Sequence, residues 1–400
     1  MAAILQVALD FVDVERALRL AREAVEGGAD WLEAGTPLIK SEGLDSIRRL
    51  RAEFPEHTIV ADLKTMDAGR AEMETAAKAG ANLATVLGVA ADGTIRECID
   101  AGRNYGIGVG VDLIRVPDPL HRAEQIREWG ADHAIVHTGI DQQMEGATPF
   151  DLLNRIAREI ALPVAVAGGL NSETVVDAVE AGAGILIVGG AITKSADATA
   201  ATRQIVEAVR TRARVPSDLY KRTSGADIRE IFEKVSTPNL SDGAHHMPCI
   251  QGIRPIAQGM KLVGTAVTVR SYPGDWSKPV QAIDAAGPGD VIVIDTGGLG
   301  PAVWGELATN SAVQKNLAGV VIDGAIRDTP EIRALNFPAF ARLIMSNAGD
   351  PKGFGEINVP ISLGGVRVAP GDWIVGDDDG IMAIPKSRAA EMANYAMDCL

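Results

Sequence analysis

The chain has 400 residues, of which 46% are hydrophobic, and it carries a formal net charge of -15. Because single domains usually have about 100 to 200 residues, this length predicts two domains. The excess of acidic residues argues against a nucleic-acid partner, since binding to phosphates requires clustered lysine and arginine. No apolar run approaches the roughly 18 residues that a membrane-spanning helix needs.

The three cysteines, Cys98, Cys249 and Cys399, have no metal-binding spacing. The N-terminal residues also lack the apolar stretch of a secretory signal. We therefore expect reduced thiols, a cytoplasmic location and a small-molecule or protein partner.

Eight short apolar segments in the first half of the chain are predicted strands, separated by stretches of helical periodicity. They lie at residues 4–10, 31–35, 58–64, 83–88, 107–114, 133–139, 163–169 and 185–190. Several of the helical stretches end in glycine, which suits the C-terminus of a helix. Strand and helix alternating eight times, with strands that are apolar throughout, are typical of a (β/α)8 barrel. A doubly wound open sheet is the alternative.

The regular alternation ends near residue 212. We therefore predict a barrel at residues 1–212, a linker at 213–224 and a second domain at 225–400. The second domain is richer in predicted strands, and the sequence Pro-Gly-Asp precedes a strand twice, as a tight turn would. These features predict an α/β domain with a layered or swivelling β/β/α core.

Charged side chains fall at or near the C-terminal ends of the predicted barrel strands, where barrels build their active sites. They are Asp10, Glu33, Asp62, Lys64, Asp112 and His137. Glu33 and Asp62 could hold a hard cation such as Mg2+ together with substrate oxygens, and that cation could stabilise an enediolate. Lys64 and His137 are candidates for the acid and the base. Any one of these residues alone could instead be a hydrogen-bonded rim residue or a helix cap.

Two glycine pairs follow the last two predicted barrel strands, Gly168-Gly169 and Gly189-Gly190. Glycines there let backbone N–H groups approach an anion, and the loops after strands 7 and 8 are the usual phosphate site of barrels. One pair alone would indicate a tight turn. Two pairs in this register predict a phosphorylated substrate.

The first half of the chain resembles the 3-hexulose-6-phosphate synthases of the orotidine 5'-phosphate decarboxylase superfamily, over residues 3–211. The resemblance is carried by the two Gly-Gly strands and by the segments "ALD", "LEAGTPLIK", "ADLKTMDAG", "VDLI" and "VHTGIDQQ". It implies a reaction of the ribulose monophosphate pathway: an aldol addition of formaldehyde to ribulose 5-phosphate, or its reverse. The addition would depend on Mg2+ or Mn2+ and would form no Schiff base.

The resemblance also implies roles for individual residues. Glu33 and Asp62 match the metal ligands, and His137 matches the base that moves the proton at C1. Lys64 and Asp67 complete an Asp-x-Lys-x-x-Asp motif, in which Asp67 would reach across a dimer interface into the other subunit's site. Asp10 is placed with the catalytic residues and Asp112 with those that bind the substrate.

The closest alternative in that superfamily is 3-keto-L-gulonate 6-phosphate decarboxylase, which forms the same enediolate. In those decarboxylases an arginine usually follows the sixth strand. Here Thr138, Gly139, Ile140 and Asp141 follow His137, which is similar to the synthases.

Three charged residues stand out in the second domain: Glu306, which follows a glycine-rich loop, and the pair Arg327-Asp328. Glu306 and Asp328 could hold a divalent metal while the fork of Arg327 binds the carboxylate of a 2-oxo acid. The alternative is a buried ion pair of Arg327 and Asp328 that fixes a strand end.

The second domain resembles, over residues 225–388, the family of the ribonuclease-activity regulator A (RraA) proteins and the metal-dependent 4-hydroxy-4-methyl-2-oxoglutarate aldolases. The resemblance is carried by residues 297–328, which include Glu306, Arg327 and Asp328, and by "STPNLSDGAHH", "VPISLGGVRVAPGD" and "GDDDGIMAIP". The aldolases carry an acid, twenty intervening residues and Arg-Asp, which Glu306 and Arg327-Asp328 match. The resemblance implies a 2-oxo acid aldolase or decarboxylase, or a regulator that binds a ribonuclease without chemistry, and a homo-oligomer.

Overall fold

The computed structural model describes residues 3–217, 223, 225 and 227–400, and it divides into two compact units. Among the described residues, the first unit comprises 3–143 and 147–217, and the second comprises 144–146 with everything from residue 223 onward. Residues 218–222 and 224 of the predicted linker lie outside the described residues, so the predicted boundaries stay predictions. No helix in the described parts of the chain has the length and apolar character needed to cross a membrane.

The first unit is a closed barrel of eight parallel strands, in which each strand pairs with the next and the eighth pairs with the first. The strands are β1 (Ile4–Leu9), β2 (Trp31–Ala34), β3 (Thr58–Thr65), β4 (Leu83–Leu87), β5 (Gly108–Asp112), β6 (His133–His137), β7 (Val164–Ala167) and β8 (Ile185–Val188). Each coincides with one predicted segment, with ends that differ by at most two residues. The closed order confirms the barrel and excludes the doubly wound sheet.

Helices connect the barrel strands, and their ends follow local capping chemistry. They are α1 (Val14–Gly27), α2 (Thr36–Glu42), α3 (Asp45–Glu53), α4 (Gly69–Ala79), α5 (Asp92–Tyr105), α6 (Pro119–Trp129), α7 (Ile140–Met144), α8 (Phe150–Glu159), α9 (Thr174–Glu180), α10 (Gly190–Thr193) and α11 (Ala198–Thr211). Asp13 and Asp118 accept backbone N–H groups at the starts of α1 and α6. The left-handed glycines that end four helices are Gly28, Gly80, Gly106 and Gly130.

Strand alternation decides which side chains reach the barrel interior. On β1, Leu5, Val7 and Leu9 belong to the large core between strands and helices. Ala8 belongs instead to the small inner cluster with residues of β6, β7 and β8. Because side chains two apart share a face, Asp10 follows Ala8 to the inner side, at the C-terminal mouth of the barrel.

The second unit is built on one mixed sheet in the order β18-β17-β10-β11-β12-β13-β9, with β14 also pairing with β10 and a separate hairpin of β15 and β16. The strands are β9 (Arg254–Pro255), β10 (Leu262–Arg270), β11 (Asp290–Asp295), β12 (Gly319–Ile326), β13 (Ala339–Ile344), β14 (Glu356–Ile357), β15 (Ile361–Leu363), β16 (Val366–Val368), β17 (Trp373–Gly376) and β18 (Ile381–Ile384). The helices are α12 (Ile228–Lys234), α13 (Thr237–Gly243), α14 (Ser277–Ala285), α15 (Glu306–Gln314), α16 (Thr329–Ala334) and α17 (Ala389–Asp398), with a 3-10 turn at Lys386–Arg388.

The second unit is layered, as predicted. Val291 and Val293 of β11 pack in one cluster with residues of the β15–β16 hairpin. Ile292 and Ile294 of the same strand pack in another cluster with residues of α14, α15 and α16. The central sheet therefore lies between a hairpin and a helical layer, which confirms an α/β domain.

The two Pro-Gly-Asp sequences that precede a strand, at residues 288–290 and 370–372, form the same turn. Gly289 and Gly371 have φ of 81° and 82°, the left-handed position that such a turn requires. The aspartate that follows each glycine donates its N–H three residues back and accepts an N–H on its side chain: Asp290 from Gly287 and Asp372 from Ala369. Each turn leads into a strand of the central sheet.

We predict that the barrel loses stability as the pH drops below neutral, because of His133 at the start of β6. The side chain is 5% exposed, and burial lowers its pKa to about 4. An unfolded histidine has a pKa of about 6.5, so between these values the unfolded chain binds a proton that the folded chain does not. From pH 7 to pH 5 this difference removes about 2 kcal/mol of stability, which a His133→Gln variant should retain.

Urea unfolding, monitored by hydrogen exchange of barrel peptides, measures the free energy of unfolding of the barrel separately from that of the second unit. Acidification will also change stability through other groups, so the test compares the change in free energy of unfolding between wild type and variant. Equal losses in the two proteins would show that His133 is not responsible.

Candidate active site

The six charged side chains predicted at strand ends lie at one mouth of the barrel. Asp10 directly follows β1, and the other five are carried by β2, β3, β5 and β6. Four of the six are joined in a continuous chain of contacts from β3 to β6. Its members, in order, are Asp62, Lys64, Asp112 and His137.

The distances along this chain of contacts indicate the role of each polar atom. Lys64 Nζ lies 2.7 Å from Asp62 Oδ2 and 3.5 Å from Asp112 Oδ2. The same Asp112 oxygen lies 2.8 Å from His137 Nδ1. A carboxylate on Nδ1 favours the tautomer that carries hydrogen there, which leaves Nε2 of His137 as the basic atom.

The charges in the chain stabilise one another. Burial would lower the pKa of the Lys64 amine, but the carboxylates of Asp62 and Asp112 outweigh it and raise that pKa. Burial would raise the pKa of Asp112, but the hydrogen bond with His137 and the charges of His137 and Lys64 lower it overall. Lys64 is therefore a fixed ammonium that can donate hydrogen bonds, and Asp112 is a fixed carboxylate.

Glu33 and Asp10 lie in a more strongly acidic environment. Burial, followed by the charges of Asp62 and Asp10, raises the pKa of Glu33 well above its usual range, although a hydrogen bond from Gln6 opposes this. The pKa of Asp10 is also raised, first by burial and then by Asp62. Gly35 leaves room for this arrangement, since a Cβ there would stand 2.1 Å from Asp10 Oδ1.

Three neutral polar residues of this site were missed by the sequence analysis: Gln6, Thr36 and Thr85. Gln6 donates to Glu33, while both threonine hydroxyls lie 2.8 Å from a carboxylate oxygen of Asp62. A sequence signal did exist for two of them, since Gln6 and Thr85 are isolated polar residues inside apolar strands.

The carboxylates at the mouth fit a divalent cation only in part. Glu33 and Asp62 offer the hard oxygen ligands that Mg2+ prefers, and a cation would relieve the repulsion that raises the pKa of Glu33. Across the described residues, however, no three His, Cys, Asp or Glu side chains are grouped closely enough to hold a metal ion. These two residues therefore suit a cation that takes its other ligands from substrate and water.

Asp67, the last residue of the Asp-x-Lys-x-x-Asp motif, stands apart from the other acids. It is exposed, and its Oδ1 accepts the N–H of Ala68 at 2.8 Å. Within the described part of the chain it makes no ion pair. A role in the site of a neighbouring subunit stays a prediction.

The two glycine pairs differ in their surroundings. Gly168 and Gly169 both have positive φ, and a Cβ on Gly168 would stand 2.3 Å from the carbonyl oxygen of Thr138. The first pair thus has a packing reason of its own. Gly190 begins the short helix α10 directly after Gly189. Phosphate binding at these loops stays a prediction.

The second unit brings its three predicted residues together. The N–H of Glu306, the first residue of α15, donates to Asp328 Oδ2 at 3.1 Å. Arg327 Nε lies 3.4 Å from the same oxygen, and both side chains of this ion pair remain more than a third exposed. The alternative of a buried ion pair therefore does not describe Arg327 and Asp328. A more buried pair, which the sequence analysis missed, joins Asp323 of β12 to Arg342 of β13.

Comparison with known proteins agrees with the division of the chain into two units. The model of the "Orotidine 5'-phosphate decarboxylase / HUMPS family" matches residues 3–205, and that of "RraA-like: Aldolase/RraA" matches residues 237–383. The 3-hexulose-6-phosphate synthase of Methylomonas aminofaciens is 46% identical over 204 residues, covering 51% of this chain and 97% of that protein. The synthase of Mycobacterium gastri is 40% identical over 205 residues, covering 51% and 99%.

A solved structure is similar over the same part of the chain. The 3-hexulose-6-phosphate synthase of Salmonella typhimurium is 38% identical, with a TM-score of 0.51, and the match covers 53% of this chain and all of that one. These relatives confirm the prediction of a lyase. The chain therefore belongs to the orotidine 5'-phosphate decarboxylase / HUMPS family, and it joins a barrel similar to 3-hexulose-6-phosphate synthases to an RraA-like domain.

Proposed function

We propose that the barrel catalyses the reversible aldol addition of formaldehyde to ribulose 5-phosphate. The observation that carries the proposal is the continuous chain of Asp62, Lys64, Asp112 and His137 at the mouth of the barrel. It provides an oriented base beside a fixed ammonium. The names of the similar synthases supply the product, 3-hexulose 6-phosphate, and the two substrates are those that the sequence resemblance implies.

In the proposed reaction, Nε2 of His137 removes a proton from C1 of ribulose 5-phosphate, next to the C2 carbonyl. The electron pair of the broken C–H bond forms an enediolate, whose negative charge the Lys64 ammonium stabilises. C1 then attacks the carbon of formaldehyde, and the oxygen of formaldehyde takes up a proton to become a hydroxyl group. The reverse sequence releases formaldehyde.

A bound Mg2+ or Mn2+ would supply further positive charge beside the developing oxyanion. Glu33 and Asp62 would hold it, and Asp10 lies beside them. The glycines after β7 and β8 would receive the substrate phosphate, and Asp67 would act in the site of a dimer partner.

We predict that the chain consumes formaldehyde in the presence of ribulose 5-phosphate and Mg2+, and that excess chelator stops the reaction. Asp62→Asn should lower kcat by at least about 100-fold, since it removes a charge at the reacting centre. The control is Asp45→Asn, which changes an exposed carboxylate on α3 and should leave the rate unchanged.

The proposal fails if the wild type consumes no formaldehyde. Release of carbon dioxide from 3-keto-L-gulonate 6-phosphate would then identify the barrel as the related decarboxylase, which forms the same enediolate.

For the second unit, we propose a metal-dependent aldolase or decarboxylase of a 2-oxo acid. The support is one oxygen of Asp328, at the end of β12, which contacts Arg327 and the backbone N–H of Glu306 at the start of α15, while both side chains of the ion pair stay accessible. Arg327 would bind the carboxylate of the substrate, and the two acids would hold the divalent metal.

We predict Mg2+-dependent decarboxylation of oxaloacetate by the full chain, followed as oxaloacetate loss above the spontaneous rate. Arg327→Ala should reduce this activity by at least about 100-fold, because the carboxylate of the bound substrate loses its charged partner. Arg333→Ala is the control, since Arg333 bonds to Thr329 within α16. Absence of turnover in the wild type with oxaloacetate and other 2-oxo acids would contradict the enzyme proposal and favour a regulator that acts by binding.

A further inference from the structure

Thr85 links the two central residues of the barrel site. It lies in the middle of β4 and is 3% exposed. Its Oγ1 lies 3.1 Å from the backbone nitrogen of Lys64 and 2.8 Å from Asp62 Oδ1. One hydroxyl therefore contacts both members of the Asp62–Lys64 ion pair.

The direction of both hydrogen bonds follows from the groups involved. A backbone N–H can only donate, and an ionised carboxylate can only accept. The hydroxyl of Thr85 must therefore accept from Lys64 and give its single hydrogen to Asp62. Both of its neighbours fix its orientation.

The bond to Lys64 is needed because the strand is irregular there. The pairing of β3 with β4 shifts register between Ala61 and Thr65, and Lys64 has a φ of 46°. A residue other than glycine is strained in this left-handed conformation. The hydroxyl of Thr85 gives the Lys64 N–H a partner within this irregular stretch.

The bond to Asp62 limits what that carboxylate can still bind. An ionised carboxylate offers about four acceptor positions, two on each oxygen. Lys64 Nζ and the Thr36 hydroxyl contact Oδ2, and the Thr36 hydroxyl lies equally close to the backbone oxygen of Asp62. Thr85 takes one position on Oδ1, so one acceptor position remains on Oδ1.

We infer that Thr85 is a positioning residue of the barrel site, which orients Asp62 to offer one Oδ1 position to a cation or substrate hydroxyl while it fixes the backbone of Lys64. This inference rests on the proposed function of the barrel. Thr85 acts through Asp62 and Lys64, the two residues that its hydroxyl contacts.

The chain provides a matched control for testing Thr85. Thr65, at the end of β3, is also 3% exposed, and its Oγ1 has no hydrogen-bond partner among the described residues. Thr85→Val and Thr65→Val thus make the same change of hydroxyl to methyl in two buried sites of adjacent strands. Thr85→Ser removes the methyl group but keeps the hydroxyl.

We predict that Thr85→Val lowers kcat/KM for ribulose 5-phosphate by about 10- to 100-fold, which is the usual effect of removing a residue that orients a metal ligand by a hydrogen bond. It should also raise the Mg2+ concentration needed for half of the maximal rate. Thr85→Ser should stay within about threefold of wild type in both quantities, and Thr65→Val should match wild type. A wild-type rate and Mg2+ requirement in Thr85→Val would overturn the inference.

Hydrogen exchange at the Lys64 amide tests the same bond without any turnover. Exchange resolved to single amides should be at least about tenfold faster in Thr85→Val, because the amide loses the Thr85 hydroxyl as its acceptor. It should stay slow in Thr85→Ser and Thr65→Val. Unchanged exchange in Thr85→Val would overturn the inference whatever the activity.

The two readouts separate this inference from the proposed function. A wild type that is inactive with ribulose 5-phosphate would count against the proposed function, while faster Lys64 exchange in Thr85→Val alone would still support the positioning bond. An equal fall of kcat/KM in Thr85→Val and Thr65→Val would indicate general loss of packing and would contradict a specific role.

Discussion

The ion pair between Lys64 and Asp62 is the interaction on which the barrel mouth depends. The ammonium lies 2.7 Å from Asp62 and 3.5 Å from Asp112, and Glu33 and Asp10 add two further acids at the same mouth. Uncompensated carboxylates in a buried site repel one another and take up protons. The hydrogen bond with His137 and the charges of His137 and Lys64 lower the pKa of Asp112, while the pKa of Glu33 stays raised. A cation bound beside Glu33 would relieve the repulsion among the acids.

Both units place their candidate functional residues at the same structural position. In the barrel they lie at or near the C-terminal ends of parallel strands, and in the second unit Arg327 and Asp328 directly follow the parallel strand β12. Residues at the C-terminal ends of strands face the mouth of the fold and are still held by rigid backbone. Two different folds therefore present charged groups by the same physical means.

The sequence predicted the strands and the charged residues, because strands buried on both faces form continuous apolar runs and a charge at their end is conspicuous. It did not predict the roles of Gln6 and Thr85, because the partner of a neutral polar residue in an apolar strand can be identified only when the register of the barrel strands is known. The irregular pairing at Lys64 was also invisible, because it depends on the neighbouring strand. The same holds for Asp323 and Arg342, whose pairing depends on how β12 and β13 align.

The most direct test of the account is proton exchange at C1 of ribulose 5-phosphate in D2O, with Mg2+ and without formaldehyde, followed by NMR. If His137, oriented by Asp112, removes that proton, the wild type will incorporate deuterium at C1 although no carbon–carbon bond can form. His137→Gln should abolish this exchange. Formaldehyde addition without C1 exchange in the wild type would weaken the account, and exchange that survives in His137→Gln would contradict it, because the base would then be another group.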